Sequence, residues 1–155
     1  MTYRISGLAP AMFRPLYGLT DADLAALGAV RVTADSHPGA PCRIALTDAP
    51  VGSAMLLVNH VSQPVGPYRA AHAIFVREGE EVAGDYIDAI PPVFAPRILS
   101  LRGFDARGMM ADALLTQPGE AVDGILRLFA NPAIAVIHAH NAVRGCFAAK
   151  VERHP

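Results

Sequence analysis

The chain has 155 residues, 52% of them hydrophobic and 17% charged, a length at which one domain buries roughly 70% of the surface that its unfolded form exposes. A formal net charge of −1 lacks the basic field that neutralises phosphate backbones, which argues against nucleic acid as a partner. No run approaches the ~18 apolar residues of a membrane-spanning helix, and two cysteines, Cys42 and Cys146, are too few for a disulfide scaffold.

In chain order, Tyr3 to Ser6 can form an opening strand and Pro10 to Leu16 a helical turn or short helix. Thr20 can then cap a helix with Asp23 at its third position, while Leu19 and Leu24 are spaced for a hydrophobic staple and Gly28 ends the helix. Short β-prone runs follow at Ala29 to Thr33, Cys42 to Leu46, Met55 to His60 and His72 to Arg77, separated early on by turn-forming SHPGAP and DAPVGS. Glu78 to Pro96 mixes charge, glycine and prolines 91, 92 and 96, which forbid a regular central strand and predict a surface excursion. Arg97 to Arg102 and Met109 to Thr116 read as strands. Pro118 and Glu120 then open a helix to Phe129, whose Val122, Ile125, Leu126 and Phe129 make an apolar stripe at helical spacing.

Ile134 to His140 and Cys146 to Arg153 read as a β-hairpin around NAVRG. With Gly145 in the left-handed region, a three-residue loop sets Ala142 opposite Cys146 and His140 opposite Ala148. In that register His138, His140, Cys146 and Lys150 share one face.

The segments GAPCRIAL, PYRAAHAIFVRE and HAHNAVRGCFAAKVER together resemble a small bacterial family, domain of unknown function 1203, and the likeness runs along the chain. The resemblance implies a bacterial protein of one domain. It brings no activity or catalytic residue to transfer.

Three kinds of site are open. His138 and His140 on one strand face, with Cys146 on the returning strand, are natural ligands for a divalent transition metal, with His72 or His60 completing the set. For the histidine pair alone, a hydrogen-bonded pair at a sheet surface is the favoured account. Cys146 can instead serve as a nucleophile with a histidine base, although buried structural cysteine is the commoner fate of both thiols. The third is a pocket for a small anion built from Arg43, Tyr68, Arg69 and Arg144, with Arg97 or Arg102 as further members; Lys150 is the only lysine, so arginine forks and backbone N–H groups must do the work. Surface pairing with the 14 acidic residues competes with that reading for each arginine. Walker, GxGxxG, GxSxG, HExxH and CxxC motifs are absent from the sequence.

The expected architecture is a single α+β domain over residues 1–155, a mostly antiparallel sheet packed against one main helix and short N-terminal helices. The expected function is binding of a small anionic molecule, or an undescribed enzyme activity, at a site drawn from His72, His138, His140, Asn141, Arg144 and the Tyr68–Arg69 loop. Metal-dependent activity through His138, His140 and Cys146 is the first alternative. A non-catalytic homodimeric interaction module, suggested by the apolar surplus, is the second. MTYRISGLAP lacks a signal peptide's basic head and apolar run, and with so few cysteines the expected location is the cytoplasm.

Overall fold

The computed structural model describes residues 1–155. Its elements are β1 (Thr2–Ser6), 3-10 turns at Pro10–Met12 and Arg14–Leu16, α1 (Asp21–Ala26), β2 (Val30–Thr33), β3 (Ala54–Gln63), β4 (Ala70–Arg77), β5 (Asp85–Ile87), β6 (Leu99–Phe104), β7 (Met110–Thr116), α2 (Ala121–Phe129), β8 (Val136–Asn141) and β9 (Phe147–His154). The fold is α+β. Six strands form one sheet in the order β5-β1-β9-β8-β6-β7, three form a second in the order β2-β3-β4, and all the strand pairs are antiparallel.

Local chemistry places the helices where the sequence predicts them. The Thr20 side chain accepts a hydrogen bond from the Asp23 backbone N–H at 3.1 Å, satisfying one of the free donors at the start of α1. The face of α2 is rotated from the expected stripe. Val122 and Leu126 are 38% and 39% exposed, while Ala121, Gly124, Ile125, Leu128 and Phe129 are buried. The reason is Gly124, where an added Cβ would lie 2.5 Å from Thr116 Cγ2 and 2.9 Å from Leu101 Cδ1. The helix sits on the sheet through its one residue without a side chain, a contact that a search for apolar side chains passes over.

Two apolar cores result. One lies between α2 and the larger sheet, with Ile5, Leu99, Leu101, Ile125, Ile137, Ala139 and Val151 fully or almost fully buried. The other gathers Leu24, Phe13, Leu56, Val58, Ile74 and Val76 around the smaller sheet and the N-terminal turns, and it takes in Phe147 from the larger sheet.

Two segments depart from expectation. Cys42 to Leu46 is a buried turn and not a strand: Leu46 N–H bonds Cys42 O at 2.9 Å, Leu46 has φ 59°, and an isolated bridge joins Pro41 to Asp48. Its backbone is satisfied by other segments, since Arg43 N–H bonds Phe75 O at 3.0 Å, Leu8 N–H bonds Arg43 O at 2.8 Å and Gly84 N–H bonds Ile44 O at 2.8 Å. A short apolar run fits a buried strand and a buried turn equally well, and only those distant partners decide between them. Glu78 to Pro96 is not wholly a surface excursion, because it contributes edge strand β5 and buries Val93 and Phe94.

Candidate functional site: an imidazole-lined joint between the sheets

The site begins with a register detail in the β8–β9 hairpin. His138 pairs with Lys150 and Ala139 with Ala149, as the sequence predicts, but His140 pairs with Phe147, so Ala148 is an extra residue. A bulge of this kind turns two successive side chains to the same face. Ala148 and Ala149 both join the α2-side core, and Phe147 takes the position among the histidines that a regular ladder gives to Ala148. Gly145 is in the left-handed region at φ 78°, as expected. The loop nevertheless closes on Asn141, whose N–H bonds Cys146 O at 2.9 Å and whose carbonyl accepts from Gly145 N–H at 2.7 Å. Cys146 consequently turns away with Asn141, and the expected sharing of one face by His138, His140 and Cys146 does not hold.

The smaller sheet supplies the opposing wall. On β3 and β4 the cross-strand pairs Leu56–Val76, Val58–Ile74 and His60–His72 lie along one face. His72 meets His140 with ring centroids 5.1 Å apart, and His60 meets Phe147 at 5.4 Å. Phe147 also lies edge-on to His138 at 5.6 Å and to His140 at 5.8 Å. Phe104 lies tilted against His138 at 4.9 Å and meets Tyr68 edge-on at 5.9 Å. Four imidazoles from two sheets are thus gathered at one joint, interleaved with two phenylalanines.

Burial sets their charge. His138 is 7% and His140 1% exposed. Desolvation lowers both rings from 6.5 to about 4, reinforced at His138 by the charges of Lys150 and Arg102 and opposed at His140 by its bond to Gly145 O. His60 and His72 are half-buried and are also lowered, chiefly by burial, with further contributions from His72 and Arg43 at His60 and from Arg102 at His72. At neutral pH the joint therefore holds neutral imidazoles. His140 Nδ1 lies 2.9 Å from Gly145 O; a carbonyl can only accept, so the proton sits on Nδ1 and Nε2 presents a lone pair. His72 Nδ1 is buried without a partner.

Arg102 completes the group. It pairs across β6 and β8 with His138, its Nε donates to Ser100 Oγ at 3.2 Å, and it forms none of the protein's ion pairs. Of the other residues predicted from the sequence, Tyr68 reaches the joint through Phe104, whereas Arg69 and Arg144 are exposed. Arg97 is committed elsewhere, clamping Asp48 at 2.6 and 2.9 Å. Arg43 is 3% exposed and lies beneath the hairpin loop, where it donates to Cys146 Sγ at 3.1 Å; Asn141 Nδ2 donates to the same sulfur at 3.4 Å. Sequence reasoning found the histidines and missed Phe104 and Phe147, whose only signal was their alternation with His138 and His140 across paired strands. No three His, Cys, Asp or Glu side chains come together as a metal-holding group.

A mostly antiparallel α+β fold with an imidazole-lined joint between its two sheets is the class these observations define. The chain belongs to the DUF1203 family, described as a protein of unknown function, whose model matches residues 39–153. No curated protein and no solved structure matches the chain.

Proposed function

We propose that the protein binds a small anionic molecule, a carboxylate or a phosphate, at the outer edge of this joint, in a bacterial cytoplasm. The supporting observation is Arg102: a half-buried guanidinium without a carboxylate partner, facing neutral imidazoles. Guanidinium forks bind carboxylate and phosphate oxygens in two-point fashion, and a partly desolvated site strengthens that interaction. His72 would donate to the same anion, and Tyr68, 38% exposed, stands at the edge with its hydroxyl. His138 and His140 lie too deep to meet a ligand first, and they act as the wall that orients His72.

Calorimetric titration with inorganic phosphate and with succinate tests the reading, using Arg102→Ala and the distant helix variant Arg127→Ala as a control. Saturable binding by the wild type and Arg127→Ala, weakened about tenfold or more in Arg102→Ala, is the expected result. Equal affinity in all three proteins would remove Arg102 from the site.

A second reading, self-association as an interaction module, is favoured by the edge of β3. β2 pairs with β3 only from Ala54 to Leu57. Because Ala54 O accepts from Glu78 N–H on the β4 side, the alternation turns the N–H and C=O groups of Asn59 and Val61 outward. Beside them lies a pocket of about 310 Å³ lined largely by Met12, Phe13, Leu16, Leu27 and Val61, and an open strand edge flanked by apolar surface is a template for pairing. Light scattering across a concentration series, with Val61→Lys as the variant, is the check. A dimer lost in Val61→Lys supports the reading, and a monomer throughout removes it.

A further inference from the structure

A separate chemistry-bearing cluster sits beneath the hairpin loop, independent of the anion reading. Arg43 is among the most buried charged groups in the protein, 3% exposed, and none of its three hydrogen bonds goes to a carboxylate. Nε donates to Phe147 O at 2.8 Å, Nη1 to Pro41 O at 2.8 Å and Nη2 to Cys146 Sγ at 3.1 Å. A buried cation is costly unless negative charge faces it, and guanidinium does not give up its proton. Both carbonyls are neutral. The sulfur is the one partner able to carry the opposing charge.

The surroundings of that sulfur point the same way. Asn141 Nδ2 donates to it at 3.4 Å, so two N–H groups converge on Sγ, and the amide's own Oδ1 is buried with no partner. Cys146 is only half-buried. Cys42 provides the contrast within the same molecule: it is 2% exposed, and its sulfur accepts from the Arg77 backbone N–H at 3.2 Å and from no side chain.

We propose that Cys146 is a peroxide-reactive thiol, activated by the buried guanidinium of Arg43, whose oxidised form is held by Arg43 and Asn141. In the reaction Sγ attacks one oxygen of a hydroperoxide. The O–O bond breaks as the S–O bond forms, Cys146 is oxidised to the sulfenic acid, and the peroxide is reduced. Its second oxygen leaves with the thiol proton as water or an alcohol. The two donors that held the sulfur are then in place for the new oxygen, and Asn141 Oδ1 gains a donor in the sulfenic O–H.

The test treats the full-length protein with hydrogen peroxide at neutral pH, traps sulfenic acid with a dimedone-type probe and maps the labelled peptide by mass spectrometry. Cys146 is expected to react at least about tenfold faster than free glutathione, with Cys42 unlabelled. Arg43→Met, if its circular dichroism is native, loses most of that excess, and Arg43→Lys recovers part of it. Reaction of Cys146 no faster than glutathione, or equal labelling of Cys42, overturns the proposal. Should Arg43→Met not fold, the wild-type comparison decides, with Asn141→Ala required to slow Cys146 several-fold.

Discussion

At the scale of single residues the protein is governed by charge that burial suppresses and by charge that burial strands. His138 and His140 titrate near 6.5 in the unfolded chain and at about 4 in the fold, so between these values the unfolded state binds protons that the native state refuses. Stability is therefore full above about pH 6.5 and falls as pH drops toward 4, by a total on the order of a few kcal/mol. Urea midpoints measured across that window should decline in the wild type and flatten in His138→Phe with His140→Phe. An unchanged slope in the double variant would show that other groups carry the acid sensitivity. The histidines were legible in the sequence because His-x-His on a strand fixes a shared face. Arg43 was misjudged, since nothing in its neighbours tells that Phe147 and Pro41 carbonyls close around it.

Elements were read best where local chemistry decides them and worst where a distant partner does. The Thr20 cap of α1 and the left-handed Gly145 are local, and both stand as expected. The bulge at Ala148 is not local: it exists because Phe147 fills the second core while Ala148 and Ala149 fill the first. Deleting Ala148 removes the extra residue and restores a regular ladder with Phe147 still opposite His140, while the α2-side core loses one buried side chain. The expected cost is about 1–3 kcal/mol, and chemical denaturation measures it. Gly124→Ala is expected to destabilise by about 1–2 kcal/mol, because its Cβ would press on Thr116 and Leu101 and overpacking outweighs the gain in helix propensity. A Gly124→Ala protein as stable as the wild type would mean that α2 slides freely on its sheet.

For the molecule as a whole, the lesson concerns what joins the two sheets. The α+β class follows from turn-punctuated short strands and one amphipathic helix, all visible in the sequence. The partition into two sheets is not visible, because β3 and β4 carry the same alternation as the strands of the larger sheet, and only pairing assigns them. The joint is made by Phe147, His140 and His72, together with the Pro41–Asp48 turn, whose Arg43 donates through its backbone N–H to Phe75 O on β4 and through Nε to Phe147 O on β9. We propose that the chain behaves as a single domain over residues 1–155, so fluorescence and far-ultraviolet dichroism should report one coincident thermal transition. Two separated transitions would mean that each core unfolds alone.

The central functional proposal is that an anion binds between Arg102 and His72. Heteronuclear NMR of the four imidazoles and the arginine side chains during titration with succinate reads that contact directly. The account predicts saturable shifts at the His72 ring and Arg102 Nε, smaller ones at His138 and His140, and none at His37 or His154. Shifts confined to the exposed arginines Arg69 and Arg144, or absent at Arg102 at saturation, would contradict it.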